Sequence, residues 1–163
     1  MNIIFIVGII GFFVCLFFMY RTNHGIPGIR KYDTDFRLLD MQFRYDNEIV
    51  YTTFTRIGQE GRKAYKNFLL VDFIFIACFF VVMTAISLNL TNNITTRFVL
   101  ISLAALRALF DITENTLLII LINTYPQRKK LMADLCSWST TLKFISLFLW
   151  IIGIILSMLI QNI

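Results

Sequence analysis

The sequence predicts an all-α membrane protein: a transmembrane antiparallel four-helix bundle with an amphipathic segment of roughly 45 residues between its first and second spans. Hydrophobic residues make up 58% of the 163 residues, and the mean hydropathy is +0.73, whereas soluble domains are about 45–50% apolar. The excess is gathered into four runs, residues 1–20, 68–90, 98–122 and 135–160. Each is about long enough to cross a hydrocarbon core of roughly 30 Å at about 1.5 Å per residue. The runs do not alternate apolar and polar residues as a transmembrane barrel requires. Backbone amides without water must then pair inside a helix, and the chain reads as a single transmembrane domain over residues 1–163.

Each element follows from its own residues. No basic residue precedes the first apolar run and no Ala-x-Ala-like site follows it, so the run is read as a retained span and not as a signal peptide. Gly25, Pro27 and Gly28 punctuate the exit from it. Within the polar segment 21–66, Val50, Phe54 and Ile57 recur at helical spacing behind Asp46 or Asn47 as a cap, and Gly58 is the expected stop. One or two short amphipathic helices are expected here, lying on the membrane surface. The alternative is a soluble cap packed on the span ends. Gly61 opens the helix that becomes the second span. Arg62, Lys63 and Lys66 then reach headgroup level on long stems, as do Arg128, Lys129 and Lys130 in the loop after the third span. The Asn-x-Thr triplets at Asn89 and Asn93 are read as turn-forming polar residues.

The charge of +5 is explained by orientation, not by a nucleic-acid partner. Nine Lys and Arg lie between the first and second spans and three between the third and fourth, against Arg97 alone in the remaining loop. The positive-inside rule places both basic loops in the cytoplasm or its topological equivalent, with both termini outside.

Several chemistries are excluded. Cys15, Cys78 and Cys136 fall in or beside three different spans without a Cys-x-x-Cys pair, and read as small buried apolar residues. His24 is the single histidine, so no bis-histidine haem, histidine-bound metal or Ser-His-Asp triad can be assembled. No Gly-rich phosphate loop is present. No cofactor, metal site or catalytic residue is assigned.

The informative feature is polar. The third span carries Arg107, Asp111, Glu114 and Asn115 at i,i+3 and i,i+4 spacings, which puts all four on one helix face. Charges at membrane depth are unfavourable by at least about 2.5 kcal/mol unless partnered, so this face turns inward. If the third and fourth spans form a hairpin near Arg128, Glu114 lies roughly 13 Å inside the end of the third span and Lys143 at nearly the same depth. The two are expected to pair, with Arg107 neutralised by Asp111. Asp72 enters from the same side in the second span, and Ser137, Ser139, Thr140 and Thr141 add hydroxyls. Counted together, Asp72, Asp111 and Glu114 against Arg107 and Lys143 leave one carboxyl in excess. That carboxyl is protonated, because burial disfavours its charge, or faces a cation or polar ligand. The same cluster also reads as a satisfied network that fixes helix register.

Two stretches resemble a family of uncharacterised small four-span membrane proteins. In the first, Gly58, Gly61, Arg62, Tyr65 and Asp72 match a Gly-x-x-Gly-Arg, Tyr, intramembrane Asp pattern. In the second, Phe110, Asp111, Glu114, Asn115, Tyr125, Pro126, Ser139, Thr141 and Lys143 match Phe-Asp-x-x-Glu-Asn, Tyr-Pro, then Ser/Thr and Lys. A Pro that often follows the Asp in that family is absent; Phe73, Ile74 and Phe75 occupy the region. The resemblance implies four spans and no activity. The small size and negligible soluble mass favour a non-enzymatic accessory or assembly subunit of a membrane complex, partnered by membrane lipids and by other membrane subunits or copies of itself. An ion- or proton-coupled transporter or channel component and a lipid-modifying enzyme are the alternatives.

Overall fold

The computed structural model describes the backbone of residues 3–161 and the side chains of residues 3–160. Met1 and Asn2, included in the expected first span, and residues 162–163 of the expected domain lie outside them. The described residues form α1 (Ile3–Arg21), α2 (Ile26–Arg30), a 3-10 turn at Leu39–Met41, α3 (Asn47–Leu90), α4 (Ile94–Thr124) and α5 (Lys130–Gln161), with no strand among them. Three stretches, Ile3–Arg30, Asn47–Leu90 and Lys130–Ile160, are long and apolar enough to cross a membrane. At 31 residues α4 has the length as well, but Arg107, Asp111 and Glu114 interrupt its apolar run.

The helix ends follow from local chemistry. Asn93 caps α4: its side chain accepts from the backbone N–H of Thr95 at 2.9 Å and of Thr96 at 3.1 Å, satisfying two donors that a helix start leaves unpaired. Asp46 occupies the cap position of α3 without a side-chain bond. Gly58, the expected stop, is a break inside α3 at φ 65° and ψ −172°, a backbone region essentially reserved for glycine. The helix resumes at once, so Gly58 kinks the path from the polar segment into the apolar one.

α1 packs on α3, α3 on α4, and α4 on α5. Glycine permits the first contact: a Cβ at Gly8 would stand 2.7 Å from Val81 Cγ1, and one at Gly11 2.5 Å from Cys78 Sγ. Phe12 then stacks on Phe75 with ring centroids 5.1 Å apart. Away from the polar segment, Met83, Leu100, Ala104, Trp150 and Ile154 form a second apolar core, where the Trp150 indole donates to Ser87 at 3.0 Å.

The segment 21–66 is a packed cap and not a surface-lying amphipathic element. Ile29, Leu39, Val50 and Phe54 are fully buried in one core with Leu118, Leu121, Ala133 and Cys136 of α4 and α5. Each such side chain gains about 1.5–3 kcal/mol from complete burial, which a helix half-sunk in headgroups would forgo. Tyr65 of α3 anchors the cap: its hydroxyl accepts from the Leu39 N–H at 3.3 Å, and its ring meets Phe36 edge-on at 5.2 Å.

Candidate functional site

Where α4 faces α3 and α5, the helical spacing of its polar residues gathers them on one inward side. Arg107, Asp111, Glu114 and Asn115 are all buried. Arg107 Nη2 lies 2.6 Å from Asp111 Oδ2 within the helix. Lys143, from the middle of α5, reaches both carboxylates, at 2.8 Å to Asp111 Oδ1 and 2.6 Å to Glu114 Oε2. The Thr140 hydroxyl, one turn before Lys143, donates to Glu114 Oε1. Cys136 donates its thiol to the Glu114 carbonyl at 3.7 Å and accepts from the Tyr45 hydroxyl of the cap at 3.1 Å. Burial holds the Tyr45 hydroxyl far above its ordinary range, so it is a donor and never a phenolate. Cys136 is therefore a buried spacer, as its position in an apolar run suggests.

The expected pairing of Glu114 with Lys143 is present, but Lys143 is shared: it bridges the two acids of α4. Asp72 stands apart from this ladder. It accepts from Asn115 Nδ2 at 2.7 Å, and that amide is its hydrogen-bond partner from α4.

Sequence reasoning missed Asp40. It lies in the 3-10 turn of the cap and is only 5% exposed. Burial raises its carboxyl above the ordinary value, Lys143 opposes the rise, and Asp111 adds to it. Its Oδ1 is buried without a hydrogen-bond partner. Among the described residues neither Asp40 nor Asp72 has a Lys or Arg nitrogen within 4.0 Å. With Asp40 included, the buried set is Asp40, Asp72, Asp111 and Glu114 against Arg107 and Lys143, an excess of two carboxyls.

All of these but Glu114 border a cavity of about 190 Å³. Asp40, Asp72, Arg107, Asp111 and Lys143 form its polar side; Leu16, Met19, Phe75, Phe79, Phe144 and Leu147 form its apolar side. The Arg107 guanidinium rests over the Phe79 ring at 4.2 Å, with Nη1 lacking a partner. Among the described residues, no group of three His, Cys, Asp or Glu side chains could hold a metal ion. Ser137 and Ser139 are buried, but the hydroxyls of Ser139 and Thr141 are turned to carbonyls of their own helix, Leu135 and Ser137, at 2.9 and 3.0 Å.

The basic residues expected at lipid headgroups are mostly tied to the protein. Arg62 donates to the Phe54 carbonyl at 2.8 Å across the Gly58 kink and lies over the Tyr125 ring at 4.2 Å. Lys66 reaches Asn123 at 3.0 Å, Arg128 pairs with Glu48 at 2.9 Å and Lys63 with Glu60 at 2.8 Å. The Lys129 amide donates to the Tyr51 hydroxyl, and Lys130 opens α5. No family model matches the chain, and no curated protein or solved structure proved similar to it; the resemblance to small four-span proteins rests on its motif residues alone.

Proposed function

We propose that the protein is a four-span antiparallel bundle that binds a ligand in the acid-rich cavity between its cap and its helices, and so belongs to the carrier or transporter class. The observation carrying this reading is the division of the buried charges. Arg107, Asp111, Lys143 and Glu114 satisfy one another, whereas Asp40 and Asp72 line the cavity without a base. A network needed only for helix register has no use for the two additional buried acids, since each desolvated carboxyl opposes folding by about 1–3 kcal/mol when left unsatisfied. As the fourth span, α4 is sheltered by the same arrangement, because its charged face turns away from lipid. The basic loops are cytoplasmic and the cavity lies toward that side.

The test is ligand-dependent stability of the purified full chain in mild detergent, with delipidated protein titrated against total membrane lipid. Stabilisation that disappears in Asp72→Asn supports the reading. A chain indifferent to every lipid, but recovered in fixed ratio with another membrane protein, would instead make it an accessory subunit; the self-neutralising ladder favours that second reading. For orientation, a cysteine placed at Asn92 labels from outside; labelling only from the cytoplasmic side reverses the assignment.

A further inference from the structure

Resting on the ligand-binding reading, the geometry points to an amphiphile with a protonated amine and a neighbouring oxygen acceptor, entering from the bilayer through the seam between α1 and α5. We infer this from how the cavity is lined, how large it is and where it leads.

The lining selects the head. Asp40 and Asp72 are 5% and 4% exposed, both border the cavity, and neither meets a protein cation. Asp40 Oδ1 is a buried acceptor without a donor, and Arg107 Nη1 is a buried donor without an acceptor. Both residues border the same small volume. A ligand satisfying them together offers N–H donors on a positive group and an oxygen close by. A bare metal ion ligates a carboxylate but gives Arg107 no acceptor, and the described residues provide no metal-binding constellation. A quaternary ammonium brings the charge but has no N–H to give.

The size limits the head. A cavity of about 150 Å³ accommodates benzene, so one of this volume takes a group of roughly seven or eight heavy atoms. An aminoethyl group with its attached phosphate or hydroxyl fits within that limit; a whole lipid does not. The remainder of the ligand must leave the cavity.

The exit is apolar. Phe144 and Leu147 of α5 line the cavity and also a groove on the outer face of α5, bounded by Phe43 and Phe148. Phe43 and Phe148 are 64% and 63% exposed, and the Phe43 ring stacks on Phe144 at 5.0 Å. On the other side of the cavity stand Leu16 and Met19 of α1. α1 packs on α3, and α5 packs on α4 and α3, so α1 and α5 flank the cavity without packing closely on each other, and the seam between them is the natural lateral opening. The groove continues the cavity onto the face presented to hydrocarbon, and an alkyl chain is the occupant that needs no desolvation there. The head chemistry is shared by ethanolamine phospholipids and by long-chain amino alcohols.

The experiment uses the full chain in nanodiscs of phosphatidylglycerol carrying a trace of labelled lipid, read by retention on the purified particle. Four probes are compared: phosphatidylethanolamine, phosphatidylcholine, labelled phosphatidylglycerol and a long-chain amino alcohol. We expect phosphatidylethanolamine, the amino alcohol or both to be retained at least about tenfold more tightly than the choline lipid, because a lost charge-assisted hydrogen bond is worth about that factor. Which of the two is retained identifies the source. Asp40→Asn and Asp72→Asn should each reduce this preference, while the wild-type probe comparison stands even if a variant fails to fold. Equal retention of the choline lipid overturns the amine assignment. Preferential retention of phosphatidylglycerol overturns it too, while leaving the ligand-binding reading intact. Retention of none, together with no stabilisation by total lipid, removes both.

Discussion

Replacing Lys143 with Met is the most informative single perturbation of the charged ladder. The side chain is 6% exposed and holds Asp111 at 2.8 Å and Glu114 at 2.6 Å. The two acids lose unequally. Asp111 keeps Arg107 at 2.6 Å, whereas Glu114 retains only the Thr140 hydroxyl and is left as a buried charge without a cation. Stranding one buried charge destabilises by about 3–5 kcal/mol. For a chain of this length that corresponds to a fall in melting temperature of roughly 6–20 °C. Glu114→Gln is milder, about 1–3 kcal/mol, because Lys143 keeps Asp111 and the new amide oxygen still accepts from Thr140.

The double variant separates this account from simple loss of contacts. With both Lys143→Met and Glu114→Gln, no unpaired charge remains in the ladder, since Arg107 and Asp111 still neutralise each other. The double variant should therefore be more stable than Lys143→Met alone, with a coupling of about 0.5–3 kcal/mol between the sites. Thermal unfolding in mild detergent followed by tryptophan fluorescence reads it, because Trp150 is buried in the second core. Losses that add to within about 0.5 kcal/mol would refute the shared-bridge argument. If instead every variant folds normally and only lipid retention disappears, the ladder belongs to the binding site and not to helix register.

Three further outcomes follow from separate features. Burial raises the Asp40 carboxyl above its ordinary 3.8 against the opposing pull of Lys143, so the folded chain holds that proton more tightly than the unfolded one; the stabilising contribution is full below that value and is lost as pH rises through the raised one. Asp40→Asn should flatten the fall in melting temperature of ligand-free protein as pH rises above about 4, and curves parallel to wild type would count against it. Gly58→Ala meets no atom within 4 Å, yet its positive φ should lower stability by about 1–3 kcal/mol, and Asn should give no relief because ψ lies far from the left-handed helical basin. Gly11→Ala places a methyl 2.5 Å from Cys78 Sγ and should lower stability by about 1–3 kcal/mol; adding Cys78→Ala should restore most of that loss in the same melting assay.

What the sequence revealed and what it hid have a common physical origin. Along α4 the register of Arg107, Asp111, Glu114 and Asn115 is fixed by helical periodicity, so a shared face is readable without knowing any neighbour. Lys143 is readable at one remove, because a short turn after Thr124 sets the level at which α5 passes α4. Asp40 has neither support. It sits in the stretch FRLLDMQFRY, whose alternation of charge and apolar residues has no helical or strand period, and its neighbours Arg37 and Arg44 suggest a solvated loop. Only the cap fold, drawn in through Phe36, Leu39 and Tyr65, turns it toward the cavity. The cap itself is one of two readings the sequence leaves open, since amphipathicity alone does not distinguish a helix on headgroups from one buried against other helices.

This division of labour also bears on how the cavity would open. The ladder between α4 and α5 is built from short contacts between two long helices, and breaking it exposes charge to hydrocarbon; it is the rigid wall. Among the described residues no ion pair joins α1 to α5. Beside the seam between them, the cap turn lines the cavity with Leu38, Asp40 and Met41 and is held by the Tyr65–Leu39 hydrogen bond at 3.3 Å, the burial of Leu39 and the stacking of Phe43 on Phe144. Placing Asp40 on that turn links the two functions of the segment: the same residues cover the cavity and supply one of its two acids without a base, so access and affinity for a cationic head are set together.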